Sequence, residues 1–281
     1  MREPGRRAAL ALALGAAVAL PARAQTPDQP NLIFTISGGL TTGGAIWSLP
    51  RQLVFAQQIG AQNQWDTVAL GRKMRPGFLA TLTATYFASP HLGYTLEVGF
   101  FGLESVAACT PVGPFTPTAT NENAQACAYL HGENLRGDAV GLLPGLTYRF
   151  TTGNVQPYLR AGIGGAIIGS SFVEAFAPVL QSDGSESVVF FLSDPNQKQL
   201  TWMASLSAGV MLPLGPGYQL RMEARDLIVA LPRPTGPAID TGAVANASAL
   251  PVPPIGTRVV HVPTFTFGLD IVLERRRGHR Y

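Results

Sequence analysis

The sequence predicts an all-β protein, an eight-stranded antiparallel up-and-down transmembrane β-barrel with long extracellular loops, and three observations carry that prediction. Segments of about ten residues alternate apolar side chains with small, polar or charged ones, a period-two pattern that sorts a strand into two faces. Charged residues are only 13% of the chain and glycine occurs 31 times, against about 25% charge in typical soluble proteins. Short turns and long connections take turns along the whole chain. The clearest segment is Tyr218 to Arg225, where Tyr218, Leu220, Met222 and Ala224 oppose Gln219, Arg221, Glu223 and Arg225. Hydrocarbon suits the first face and the interior of a closed barrel the second, because an open sheet in lipid would leave backbone groups unpaired.

The chain starts with Arg2, Arg6 and Arg7, an apolar run from Ala8 to Leu20, and Ala22-Arg23-Ala24, which together read as a secretory signal over residues 1–24. That apolar run is too short for a helical span, which takes about 20 residues, and no later run is long enough. Removal of the segment takes away four arginines and one glutamate, so the formal charge falls from +3 to zero. Arg275, Arg276, Arg277 and Arg280 crowd into a basic periplasmic tail, residues 274–281. No broad basic surface remains, and nucleic acid is excluded as a partner. The barrel is expected within residues 25–273.

The first strand sets Leu32, Phe34 and Ile36 against Thr35 and Ser37, with Ile33 breaking its polar face. Residues 41–75, which hold Trp47 and Trp65, read as an exposed loop with a hairpin extension at Asp66 to Leu70. The second strand, Phe78 to Phe87, sends Phe78, Leu82 and Tyr86 one way and Thr81, Thr83 and Thr85 the other. After a tight turn at Ser89 to Leu92, the third sets Tyr94, Leu96, Val98 and Phe100 against Thr95, Glu97 and Gly99. A second loop covers residues 103–134. The fourth strand, Ala139 to Phe150, faces Val140, Leu142, Leu146 and Tyr148 outward and Gly141, Gly145, Thr147 and Arg149 inward, and Pro144 within it calls for a bulge. The fifth points Leu159, Ala161, Ile163 and Ile167 out and Tyr158, Arg160, Gly162 and Gly164 in.

A third loop spans residues 169–199. The sixth strand, Leu200 to Leu212, is the most regular, and Gly215-Pro216-Gly217 turns it into the seventh, Tyr218 to Arg225. A proline-rich fourth loop covers residues 231–257. The eighth, Val259 to Leu273, sets Phe265, Phe267 and Leu269 outward and Thr264, Thr266, Gly268 and Asp270 inward. Three short turns against four long loops put the turns and both termini in the periplasm, because outer-membrane barrels have short periplasmic turns. Tyr86, Tyr94, Tyr148, Tyr158 and Tyr218 flank those turns and form the expected aromatic girdle.

The run Gln156-Pro157-Tyr158-Leu159-Arg160-Ala161-Gly162-Ile163-Gly164, the Arg221, Glu223 and Arg225 face, and the ending Pro263-Thr264-Phe265-Thr266-Phe267-Gly268-Leu269 carry a resemblance. Over nearly all of the mature chain the sequence resembles the OmpA/OmpX/OmpW-like group of outer-membrane β-barrel proteins. The resemblance implies the cell outer membrane as location and no cofactor. It implies outer-membrane lipid, lipopolysaccharide and the outer-membrane assembly machinery as partners. That group includes structural, adhesive and small-solute proteins, so a shared fold names no single role. Two departures stand out: no periplasmic, peptidoglycan-binding domain is expected after the eighth strand, and the chain runs on through Arg275 to Tyr281.

Inward charges at Glu97, Arg149, Arg160, Arg221, Glu223, Arg225 and Asp270 are the main candidate site. An eight-stranded barrel is just wide enough for side chains to fill, so these read as a paired, hydrogen-bonded plug, with a gated polar pore as the alternative. Inward glycines are expected to make room for the guanidinium groups. Cys109 and Cys127, the only cysteines, read as a disulfide in an exported chain. A metal reading with His131 and Glu122 lacks zinc-ligand spacing. Of His91, His131, His261 and His279 only His261 is placed for lipid chemistry, and no serine shares its face, so no catalytic residue is assigned. Gly162, Gly164 and Gly165 fail as a phosphate loop, since Ile167 stands where a third glycine belongs and no helix follows. The sequence thus reads as a non-enzymatic envelope barrel that displays its loops, with Trp47, Trp65 and the disulfide-closed segment as contacts for an extracellular ligand. A porin-like narrow channel for small or hydrophobic solutes stands second, and a lipid-active enzyme third.

Overall fold

Alternation decides which strands close on one another, and the computed structural model describes the result over residues 32–59, 62–118, 121–180, 183–194, 199–236 and 254–273. In chain order the elements are β1 Leu32–Thr41, β2 Ala45–Ile59, β3 Gln62–Met74, β4 Gly77–Phe87, β5 Leu92–Gly102, β6 Ser105–Pro111, α1 Glu122–Leu130, β7 Asn134–Leu135, β8 Asp138–Arg149, β9 Gln156–Ile168, β10 Ala175–Leu180, β11 Glu186–Leu192, β12 Gln199–Gly215, β13 Tyr218–Pro234 and β14 Ile255–Leu273. A closed barrel runs β1-β14-β13-β12-β9-β8-β5-β4, and β4 returns to β1. Every pairing in it is antiparallel. These eight strands are the eight that the periodicity predicts. The expected signal and tail, residues 1–24 and 274–281, lie outside the described residues.

The outer wall is apolar. Leu206 is 60% and Phe267 52% exposed, while their strand neighbours Ser205, Ser207 and Thr266 are buried inside. An apolar surface that circles a whole barrel far exceeds the few hundred Å² that soluble monomers tolerate. Tyr86, Tyr94, Tyr148 and Tyr218 are exposed on this wall at the end that carries the short turns. Tyr86 sits directly opposite Tyr94 across β4 and β5.

Three sequence expectations need correction. The loop at residues 41–75 is the β2–β3 hairpin, which joins β6 and β7 in a four-stranded sheet, and residues 169–199 contain a second hairpin, β10–β11. With α1 these form a folded cap over one end of the barrel. Pro144 causes no bulge: the β8–β9 register is the same on both sides of it, Leu142 opposite Gly165 and Gly145 opposite Gly162. Pro144 only interrupts the ladder, since it has no N–H to donate. Nor do the inward glycines serve the guanidinium groups. A Cβ on Gly99 would meet the Phe101 ring at 2.6 Å, and one on Gly209 the Tyr158 hydroxyl at 2.7 Å.

The barrel and cap share one core. Leu79, Phe101, Leu143, Met203, Leu227, Val229 and Val262 fill the cap-side half of the lumen and join Ile46, Trp47, Phe172 and Phe191 of the cap in a single buried cluster. β13 and β14 have 17 and 19 residues, well beyond the 9–11 that cross a bilayer. The excess carries them past the apolar wall into this cap.

Candidate functional site

The middle of the lumen is a layer of paired charges. Two carboxylates and two guanidinium groups interlock there: Arg160 Nη2 lies 2.6 Å from Glu223 Oε1 and 3.0 Å from Glu97 Oε2. Arg225 forks onto Glu97, with Nη2 donating to Oε2 at 2.8 Å, and its Nε donates to Glu223 Oε1 at 2.9 Å. Beside them Arg221 donates to both oxygens of Asp270, Nε to Oδ1 at 2.9 Å and Nη2 to Oδ2 at 3.1 Å. Thr35 Oγ1 and Thr83 Oγ1 donate to Asp270 and Glu97 at 2.7 and 3.2 Å. All of these side chains are buried. Charges enclosed this way must be matched and hydrogen-bonded, because desolvating each costs several kcal/mol.

Arg149, the seventh predicted charge, forms no ion pair with a carboxylate among the described residues. It donates to Gln156 Oε1 at 3.1 Å and to the Pro90 carbonyl at 3.0 Å, and its guanidinium lies 3.6 Å from the centre of the Phe87 ring. Phe87 belongs to a small apolar floor at the turn end with Ile33, Tyr158 and Met211. The Ile33 that breaks the polar face of the first strand therefore has a place in the lumen. Tyr158 corrects the girdle: it is 1% exposed, points inward, and donates its hydroxyl to Glu223 Oε2 at 2.6 Å. Its parity in the fifth strand already placed it with Arg160. Thr35 and Thr83 are the other members that attention to charge alone misses, and the same inward parity marks them.

From turn end to cap, then, the lumen passes through an apolar floor, a charged layer and an apolar core, inside a closed wall of eight strands with an apolar exterior. The fold is an eight-stranded antiparallel transmembrane β-barrel. No protein-family model matches the sequence, and no curated protein does. Among solved structures the barrel is similar to the outer membrane protein OprG from Pseudomonas aeruginosa, at 15% identity, 88% of this chain, 98% of that chain and a TM-score of 0.46. It is similar to Neisserial surface protein A at 10% identity, 87% and 98% coverage and a TM-score of 0.42. A third likeness is to Ail, the attachment invasion locus protein of Yersinia pestis, at 12% identity, 86% and 99% coverage and a TM-score of 0.31.

In the barrel's cap the two candidate tryptophans part company. Trp47 is 3% exposed, donates Nε1–H to the Phe172 carbonyl at 2.6 Å, and has the Arg72 guanidinium 5.9 Å from its ring centre. It is core, and its assignment to a contact surface is corrected. Burial pushes Arg72 down to about 10, against the pull of Glu133 and Glu174. It stays cationic at neutral pH and donates to the Ser171 and Glu174 carbonyls. Trp65 is half-buried, edge-on to Phe55 at 5.8 Å, and lines an open cleft with Arg51, Leu53, Val112 and Pro114. Asp66 stiffens that cleft by accepting from Thr116 N and Oγ1 at 2.8 and 2.7 Å and from Asn123 Nδ2 at 2.8 Å.

The helix α1 buries Asn123, Ala126, Cys127 and Leu130, one face at helical spacing. Cys127 on that face bonds to Cys109 of β6. His131 packs beside that disulfide: its ring Nδ1 lies 3.1 Å from the Cys109 carbonyl and its backbone N–H donates to the Cys127 carbonyl. The disulfide closes a loop with a sequence separation of 18, and its removal by Cys109→Ser with Cys127→Ser is expected to cost the cap about 3 kcal/mol. Alkylation of the denatured, unreduced protein should find no free thiol; two labelled cysteines would refute the pairing. On the outer wall His261 Nδ1 lies 2.7 Å from Asp226 Oδ2, a pair the sequence reading does not foresee because Asp226 follows the last residue of its seventh strand.

Proposed function

We propose that the protein is a non-enzymatic integral outer-membrane barrel whose lumen is closed by its own side chains and whose folded cap stands outside the cell, with both termini in the periplasm. One observation carries this reading: carboxylate–guanidinium pairs fill the lumen between an apolar floor and an apolar core that continues into the cap. Passage of a solute would need buried ion pairs to separate and a packed core to part together, each at a cost of several kcal/mol. The outer wall meets outer-membrane lipid, with lipopolysaccharide at the cap end, and its insertion falls to the assembly machinery. The exposed part of the cap, with Trp65 and the Arg51 cleft, is the surface that would meet an extracellular ligand.

Planar-bilayer recording tests the closed lumen. Purified protein is expected to insert without stepwise conductance, and sustained unitary currents from the unmodified chain would overturn the plug in favour of a channel.

A further inference from the structure

We propose that the turn end of the lumen binds a small monovalent anion, of the size of chloride, between Arg149 and Arg221. The first reason is charge. Among the described residues the barrel interior holds four guanidinium groups, Arg149, Arg160, Arg221 and Arg225, against three carboxylates, Glu97, Glu223 and Asp270. Every carboxylate among them is engaged by Arg160, Arg221 or Arg225, which leaves Arg149 as the one of these four guanidinium groups with no ion-pair partner among the described residues. An unmatched buried charge is strongly unfavourable, and a single negative ion beside it removes that penalty.

The second reason is the set of unsatisfied donors. Arg149 Nε, Arg221 Nη1, Thr85 Oγ1 and Thr147 Oγ1 are buried without a hydrogen-bond partner, and Gln219 Oε1 is an unpaired acceptor in the same state. Their residues belong to the turn-end layer of the lumen. Arg149 lies over Phe87, and Arg221 has its guanidinium 5.2 Å from the Tyr158 ring, on the same apolar floor. A Cβ on Gly93 would meet both the Phe87 ring and the Thr85 methyl at 3.0 Å, and Gly93 stands opposite Thr147, so these side chains crowd one spot of the wall. Buried polar atoms seldom go unpaired, and a water satisfies such atoms as readily as an ion where charge is balanced. Here the excess of donors and of positive charge selects an anion, and Gln219 Oε1 is the acceptor for a water beside it. The apolar floor and a lumen already filled by side chains restrict the ion to one or a few atoms.

The test uses the mature chain folded in detergent or lipid vesicles. Urea unfolding is followed in potassium chloride and in potassium gluconate at equal ionic strength. The unfolding midpoint should be higher in chloride and rise with its concentration to saturation, as ligand linkage requires. Arg149→Gln should abolish the chloride dependence, and Arg149→Lys, which keeps the charge, should retain it. Crystals of the unmodified protein soaked in bromide give a readout that needs no variant, with an anomalous peak expected within hydrogen-bond reach of Arg149 and Arg221. Equal midpoints in the two salts, a chloride effect undiminished in Arg149→Gln, or bromide peaks confined to the outer surface would each overturn the proposal and leave water in that layer.

Discussion

Glu223→Gln is expected to lower the folding free energy of the barrel in lipid vesicles by about 3–5 kcal/mol. The substitution keeps volume and an oxygen for Tyr158 but removes the negative charge that faces Arg160 and Arg225. Glu97 alone would then face two guanidinium groups inside a wall of eight strands. Urea titration followed by the mobility of unboiled samples on gels measures the loss. A variant as stable as the parent that also passes current would show that the charges hold a gate rather than a plug. Replacing Glu223 and Arg225 together with apolar residues of similar volume should recover part of the loss, because the penalty arises from a stranded charge more than from the lost pair.

Trp47→Ala should destabilise the cap by about 3–5 kcal/mol, the usual cost of truncating a large buried aromatic. Its indole sits in the cluster that links cap to barrel, and its N–H tethers the segment at Phe172. Loss of that ring leaves a cavity between β2 and the entry to β10 and leaves the Phe172 carbonyl unpaired. Limited proteolysis of intact cells should then cut within the cap while the barrel still resists heat in detergent. Trp65→Ala is expected to cost only about 1 kcal/mol, since Trp65 is half-buried and meets Phe55 edge-on. Equal protease sensitivity of the two variants would show that Trp47 is not the keystone of that core.

The strands of the barrel are legible because lipid lies on one side of them and a polar lumen on the other, so every second residue changes character. Where that contrast fades, so does the signal. In β13 the alternation stops after Arg225, because above that point the lumen is filled by Leu227, Val229 and Leu231, while the outer face carries Asp226 and then Ile228 and Ala230. The cap is harder still to read. On β3 the buried face includes Asp66 and Arg72 among Val68, Leu70 and Met74. On β2 register shifts at Ala45–Trp47, Leu49–Gln52 and Phe55–Gln57 break the period of two. A segment with polar residues facing in and a slipping register looks like an exposed loop.

The candidate site divides in the same way. Inward parity identifies all seven charges, and Cys109 and Cys127 pair off by elimination. Distance along the chain cannot say who meets whom: Arg225 finds Glu97 across the barrel, a separation of 128 residues, and Tyr158 reaches Glu223 across 65. By itself the sequence determined the number of strands in the barrel, the face that each of their residues takes and the chemistry of those faces, because these depend only on a local period of two and on the solvents at either side. Which charges pair, which one is left over, and that Trp47 is core while Trp65 stays half-buried at a cleft were decided only when the wall closed and the loops packed on its mouth. Those outcomes depend on strand stagger and on contacts between distant segments, for which a local repeat holds no information.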